Sequence, residues 1–321
     1  MTVAITSEAQ PAGGATPRHP PARVRAFSRH PLIHAVITLY AGASVGLMAV
    51  HAVGVTAEGA LLLALVLLSL VAPARAFVWD WLPFIGVAVM FGDLGTMVGK
   101  SAQHAHILAP IITERILLGG NVGSVWLQGH LRPAAPWLDV PLGIEYLTFF
   151  AAPIAFGLWL WMRRRGWFGV FVNAYISVMV VGFVVYVLYP ETPPWLAAQE
   201  GLLPHVQRIT IGLLNHLGGI GHLYGGADPA PNGAMPSLHV GIPTLISLIA
   251  ARMRGWRRPA SWLWLLYPLT MILATMYLGE HYLLDGMAGF TLGVIGYLGA
   301  LTWARRAARR SVSPARTAPV S

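Results

Sequence analysis

LLLALVLLSLVA, residues 61–72, carries one hydroxyl and no charge. It is the heart of an apolar stretch at 57–74, close to the roughly 20 residues a helix needs to cross a bilayer. Working outward, further apolar stretches occur at about 33–54, 78–93, 140–162, 167–189, 238–252, 259–278 and 282–303. Eight such segments predict an all-α, polytopic membrane helical bundle. The 78–93 and 238–252 segments are short, as tilted or partly re-entrant helices would be.

The remaining composition agrees. The 321 residues are 56% hydrophobic and only 10% charged, against about 25% charged in a soluble domain. No cysteine is present, which removes disulfides, thiolate nucleophiles and Cys-ligated metals from consideration. The net charge of +9 comes from 21 basic residues, of which Lys100 is the sole lysine. These residues sit in clusters beside apolar segments, so membrane orientation explains them better than nucleic-acid binding, and no nucleic-acid partner is expected.

With eight spans, the clusters at Arg18–Arg29, Arg75, Arg163–Arg165, Arg252–Arg258 and Arg305–Arg310 all fall on one side. Basic loops remain cytoplasmic, which places both termini inside. Most acidic residues fall outside; Glu8 and Asp80 are the exceptions. Residues 1–30 lack the apolar core of a cleavable signal and are expected to form a disordered cytoplasmic tail. Residues 305–321 form a second, basic tail. Two outer connections remain. One carries HILAPIITERILL (106–118) and NVGSVWLQGHL (121–131), both amphipathic, with Trp126 as an interfacial anchor. They either wall an entrance for lipid or simply cover the bundle's outer end. The other, 190–236, is rich in Pro and Gly, with one helix expected at 203–217.

The chemistry-bearing residues lie in PNGAMPSLHVG (231–241) and YLGEHYLLDG (277–286). His281 and Asp285 are four apart and share a helical face. The carboxylate can fix the imidazole tautomer and stabilise the ring once it is positive, as a nucleophilic or basic histidine requires. A structural His–Asp pair in a polar bundle interior would have the same spacing. Pro236, Ser237 and His239 stand where a loop becomes a helix, with Met235 before them. First-turn amides make an anion site there, and the Ser237 hydroxyl adds a donor. A plain helix cap is the competing reading. Both histidines fall at the outer ends of their spans. Together they can face one anionic group, one attacking phosphorus and the other protonating the departing oxygen.

PSLH followed about forty residues later by HYLLD resembles the type 2 phosphatidic acid phosphatase (PAP2) superfamily. AMPSLHVG with YLGEHYLLDGMAG, and the earlier TPPW (192–195) after Tyr189 and Pro190, is similar to its inositol phosphorylceramide synthase-like branch. The resemblance covers roughly 140–303. It implies a PAP2-like six-helix core, here with additional N-terminal helices, and neither metal nor other cofactor. It also implies His281 as the nucleophile forming a phosphohistidine, Asp285 orienting it, and His239 protonating the leaving oxygen. Ser237, with Pro236 and Met235, would hold phosphate. The common phosphatase pattern has an arginine where this chain has Thr275, and its early Lys…Arg-Pro signature is missing too; the synthase-like branch shares both absences. A monoester dianion gains more from several guanidinium contacts than a singly charged diester does.

Lys100, Arg115, Arg132 or Arg208 can supply positive charge from the outer connections, or each can anchor to lipid headgroups. Tyr189, Thr192, Trp195, Tyr277, Glu280 and Tyr282 are further substrate-contact candidates. Glu191, beside the Pro-rich signature, is unassigned. His104 and His106 have no placed third ligand, and His222 has no evident role, so no metal site is expected. The domain reading is 1–30 tail, 31–139 N-terminal helices and outer amphipathic segment, 140–304 catalytic core, and 305–321 tail.

The function expected is a phosphotransferase in the cell inner (plasma) membrane, with its active site toward the extracytoplasmic face. It would move a phosphoryl-headgroup from a lipid-linked phosphodiester donor to a lipid or polyol hydroxyl. With water as acceptor, the same residues make a lipid or polyprenyl phosphate phosphatase. A non-catalytic lipid transporter is the third reading. Arginine dominance and abundant Ala, Gly and Pro favour a GC-rich bacterial source and a cell-envelope lipid.

Overall fold

The computed structural model describes residues 72–100, 105–216 and 231–312, with Leu39, Gly42 and Ala43 in isolation. Side chains are described for 75–91, 105–216 and 231–309 within those segments. The expected tail 1–30, the span 33–54, nearly all of the span 57–74, the end 313–321, His104, His222 and the Lys100 side chain lie outside these residues.

Among the described residues the architecture is all-helical, apart from isolated bridges. A long helix α1 (Ala72–Lys100) is followed by α2 (Leu108–Leu117) and α3 (Gly123–Trp126). A π-helical turn (Leu127–Leu131) continues α3 into α4 (Arg132–Ala134). Then come α5 (Asp139–Arg163), α6 (Arg165–Leu188), α7 (Pro194–Gln199), α8 (Ile209–His216), α9 (Leu238–Arg254), α10 (Leu266–Tyr277) and α11 (Leu283–Val312). A 3-10 stretch, Pro259–Leu265, leads into α10.

Among the described residues, four segments are long and apolar enough to cross a membrane: Pro136–Arg163, Arg165–Leu188, Pro259–Tyr277 and Leu283–Arg309. Their limits match the stretches expected at 140–162, 167–189, 259–278 and 282–303. The segment expected as short at 78–93 is instead part of the 29-residue α1. Its apolar run undercounts the helix because charged residues at each end continue it. The other short segment, α9, has 17 residues, with Leu238 and every residue from Val240 to Ala251 buried. It is the central helix of the bundle, so its apolarity serves packing on all sides.

The helix body is held by interdigitated rings from α1, α5 and α6. Phe84 stacks on Tyr175 with centroids 4.3 Å apart, and Trp81 meets Phe168 at 5.3 Å. Each such pair contributes about 0.5–1.5 kcal/mol beyond area burial. At one end, Arg165 donates to Asp80 at 2.7 Å and covers the Trp161 ring, whose indole N–H also donates to Asp80 at 3.0 Å. That pairing explains how Asp80, an acidic residue among basic clusters, is accommodated.

Small residues set the closest approach, as membrane helices without a hydrophobic drive between them require. A β-carbon on Gly289 of α11 would lie 2.1 Å from the Ser237 carbonyl oxygen, and one on Gly293 would lie 2.5 Å from that of Gly241. The α9 and α11 backbones thus touch, bringing the PSLH and HYLLD segments to the same end of the bundle.

Candidate active site

The second motif is delivered by a tight turn. α10 ends at Tyr277, and Gly279 has φ +82°, a left-handed conformation that side chains rarely adopt. A β-carbon there would also lie 2.8 Å from the Gln207 carbonyl oxygen. The amides of Glu280 and His281 both donate to the Thr275 carbonyl, at 3.0 and 3.3 Å. Thr275 is wholly buried, and its hydroxyl donates to Ile272 O in its own helix. In place of an arginine pointing at substrate, this position holds the turn that presents His281.

Asp285 lies in the first turn of α11, where Oδ2 accepts the Tyr282 amide at 2.8 Å, half of a capping box. The same oxygen is 3.6 Å from His281 Nδ1. That is ion-pair contact rather than a formed hydrogen bond. Catalytic contacts often tighten only when substrate binds.

His239 occupies the first turn of α9, after Ser237 as the extended N-cap residue. Its Nδ1 stands 3.4 Å from His281 Nε2. The His239 ring stacks on Tyr146, with centroids 4.2 Å apart and planes 16° from parallel, and rests on Phe149, also at 4.2 Å. The Ser237 hydroxyl is buried without a partner, while its amide donates to the Asp285 carbonyl at 2.9 Å. The amide of Ser237 is therefore engaged, which leaves those of Leu238 and His239 as the first of the helix start. Pro236 is buried after a cis Met235–Pro236 bond and accepts the Tyr186 hydroxyl at 2.9 Å; Met235 is half-buried.

Arg208, in the loop before α8, is the cation brought to this site. Its Nε donates to both Glu280 oxygens, at 3.0 and 3.2 Å, and its guanidinium lies 4.4 Å over the Trp195 ring. Trp195 is fixed by its amide, which donates to Gly279 O. Arg208 is near enough to act electrostatically on His239.

Arg132 is engaged elsewhere, on Asp139 at 2.9 Å, and Tyr277 donates its hydroxyl to the same Asp139. Arg115 is exposed at the end of α2. Tyr189 stacks on the His106 ring at 4.1 Å, and the buried Thr192 hydroxyl donates to Asn232. Tyr282 is wholly buried, and burial raises its phenol far above the usual range.

Two buried carboxyl groups have no role in the sequence reading: Glu114 is given none, and Glu191 stands unassigned beside the Pro-rich signature. Glu114 of α2 accepts the Leu283 amide at 2.7 Å and so caps α11 from a distant helix. Burial raises its carboxyl to about 7, against the lowering effect of its backbone hydrogen bonds. A glutamate one turn from Ile111, on the buried face of an apolar helix, was the available signal. Glu191 is 1% exposed and lies against Asp285. The expected 139/140 division falls after the first residue of α5, and Glu114, from before it, reaches the start of α11. Among the described residues, no group of three or more His, Asp or Glu side chains is placed to hold a metal ion.

Apposed imidazoles, with a carboxylate behind one, thus stand at one end of a bundle that contains membrane-length apolar helices. The chain belongs to the PAP2 superfamily, whose family model matches residues 118–299. Within it, the chain is similar to inositol phosphorylceramide synthases and to a phosphoinositol dihydroceramide synthase. It is 27% identical over 175 residues to a phosphoinositol dihydroceramide synthase of Bacteroides thetaiotaomicron, covering 50% of this chain and 54% of that protein. It is 27% identical over 207 residues to the inositol phosphorylceramide synthase catalytic subunit of Schizosaccharomyces pombe, covering 58% and 44%. The Candida albicans inositol phosphorylceramide synthase is 29% identical over 199 residues, covering 56% and 39%. The chain thus spans about half the length of these relatives, or less. No solved structure matches the chain at the level these relatives do.

Proposed function

We propose that the protein is a membrane phosphotransferase moving a phosphoryl-headgroup from a lipid phosphodiester to a lipid or polyol hydroxyl, through a phosphohistidine at His281. The observation that carries this reading is the 3.4 Å apposition of His281 Nε2 and His239 Nδ1, with Asp285 behind His281.

In the first step His281 Nε2 attacks phosphorus, and the bond from phosphorus to the lipid oxygen breaks. His239 gives its proton to that oxygen. Asp285 balances the positive charge formed on His281. In the second step His239 takes the proton of the acceptor hydroxyl, whose oxygen attacks phosphorus as the N–P bond breaks. The Leu238 and His239 amides and the Ser237 hydroxyl hold the phosphoryl oxygens. Arg208 supplies one guanidinium, a supply that suits a singly charged diester better than a dianion.

Placing phosphorus between the rings requires them to part by roughly 2–4 Å, since attack and proton donation each need about 3 Å. His239 is held by ring stacking and by its contact to His281, so its movement breaks few polar contacts.

The relatives' names nominate phosphoinositol lipids as the first donors to test. Purified protein in detergent, given lipids labelled in the phosphoryl-headgroup, should transfer label to an added lipid alcohol and retain acid-labile label on wild-type protein but not on His281→Ala. Label released only to water would favour the phosphatase. Lipid movement without turnover would favour the transporter. Basic clusters at the end away from the histidines support cytoplasmic termini and an extracytoplasmic site in the plasma membrane. Because the chain lacks cysteine, single introduced cysteines report that orientation directly. A cysteine near Arg306 that reacts with an impermeant reagent in intact cells would reverse it.

A further inference from the structure

We propose that Glu191 is a positioning residue: as a neutral carboxylic acid it donates a hydrogen bond to the Asp285 carboxylate and holds that carboxylate toward His281. This rests on the His281 reading above.

The backbone at Glu191 is clamped from both sides. It forms parallel bridges with His106 and with Gly233; its amide donates to Asn232 O at 2.7 Å, and its carbonyl accepts from Ala234 at 3.2 Å. The side chain lies against Asp285. Both are buried, at 1% and 0% exposure. Glu191 Oε1 and Asp285 Oδ1 are both buried without a hydrogen-bond partner, and one shared proton would satisfy the two. Two carboxyl groups can share a hydrogen bond only if one carries a proton. Asp285 already accepts the Tyr282 amide and faces His281, so it is the ionised member. The proton resides on Glu191.

The titratable and charged groups facing it agree. Glu114 comes from α2, Tyr282 and Asp285 from the start of α11 with His281 beside them, and Tyr189 from its own segment, stacked on His106. After burial, the groups that act on Glu191 most strongly are the Asp285 and Glu114 carboxyls. Burial first, and the Asp285 carboxylate second, push the Glu191 carboxyl up to about 11.

The arrangement has a purpose for the reaction. Asp285 shares Oδ2 between a backbone amide and His281. A donor on its other oxygen fixes the rotation of the carboxylate without adding a second negative charge.

The test compares Glu191→Gln with Glu191→Ala in the full-length protein, beside His281→Ala, in the headgroup-transfer assay. Glutamine carries a permanent donor, so it should rescue most of the kcat that alanine loses, the loss being about 10- to 100-fold with KM little changed. Infrared spectra at about pH 9, above the Glu114 range, should show a carboxylic-acid carbonyl band in wild type that is missing from Glu191→Gln. Alanine with wild-type kcat, glutamine as impaired as alanine, or spectra with no band lost would overturn the proposal. The infrared readout stands even if alanine fails to fold. Turnover retained by His281→Ala would instead remove the histidine mechanism, independently of Glu191.

Discussion

His281 Nε2 and His239 Nδ1 face each other at 3.4 Å, although 42 residues separate them and they lie on different sides of helix boundaries. One imidazole precedes α11, and the other sits inside the first turn of α9. Contact between those two helix starts is what brings the two motifs together.

Replacing His239 with alanine removes the proton donor and acceptor but leaves the nucleophile. Turnover should fall about 10²- to 10⁴-fold, the usual range for general acid–base loss. In a single-turnover experiment, phosphoenzyme formation from donors with a good leaving group should lose far less, because their departing oxygen needs no proton; transfer to the acceptor stays slow for every donor, because the base is gone. An equal loss of phosphoenzyme formation for good and poor leaving groups would contradict the assignment.

Phe149→Leu keeps an apolar side chain under His239 but removes a ring that lies 4.2 Å from it. Aromatic contacts of this kind are worth about 0.5–1.5 kcal/mol, so kcat should drop by no more than about tenfold. Melting in detergent should be nearly unchanged, which separates ring positioning from folding.

Gly289→Ala should be severe. Its β-carbon would meet the Ser237 carbonyl at 2.1 Å, backbone against backbone, so α9 and α11 must separate. Overpacking costs about 1–3 kcal/mol and here also displaces Ser237 and His239. Gly299→Ala on the same helix meets nothing within 4 Å and should melt like wild type. Thermal denaturation of the pair, with activity measured alongside, checks this.

Arg208 and Glu280 are only 12% and 6% exposed, so removing either leaves a buried charge without its partner, a loss of about 3–5 kcal/mol. Arg208→Lys keeps the charge but not the planar fork over Trp195. If Arg208 also holds the phosphoryl group, lysine should raise KM for the donor more than it lowers the melting temperature. An unchanged KM would restrict Arg208 to a structural role.

Glu114 gives a stability term with a defined sign. Its carboxyl is raised from 4.5 to about 7 in the folded protein, so the folded state holds its proton more tightly than the unfolded state. The contribution is full below about pH 4.5 and is lost as pH rises through about 7, by up to about 3 kcal/mol. Wild type should therefore melt lower at pH 8 than at pH 5, with Glu114→Gln showing a flatter dependence. Glutamine can still accept the Leu283 amide, so its helix cap persists. Parallel pH profiles for the two proteins would show that Glu114 does not titrate in this range.

The helical segments at 140–162, 167–189, 259–278 and 282–303 were legible because membrane-length apolar runs leave one local solution for the backbone, a helix that satisfies its own hydrogen bonds. His239, His281 and Asp285 were legible because their residue types and spacing are local facts. Glu114 and Glu191 were not. Glu191 stands within the Pro-rich signature and Glu114 in no motif, yet no local pattern assigns either a task; each meets an element far away in the chain, Glu114 the start of α11 and Glu191 Asp285. Tyr146 and Phe149 were hidden for the same reason, being two apolar residues among many on α5 until His239 is laid on them.

The sequence by itself determined a membrane bundle and the chemical groups at its end, because hydropathy and i,i+4 spacing act over short stretches of chain. Only the tertiary structure decided how those groups meet. The 3.4 Å imidazole contact, the carboxyl pair behind it and Arg208 against Glu280 all depend on how closely helices approach. That approach is set by glycine-to-backbone contacts between α9 and α11 and by loops folding over the bundle end, which are long-range packing relationships no local pattern encodes.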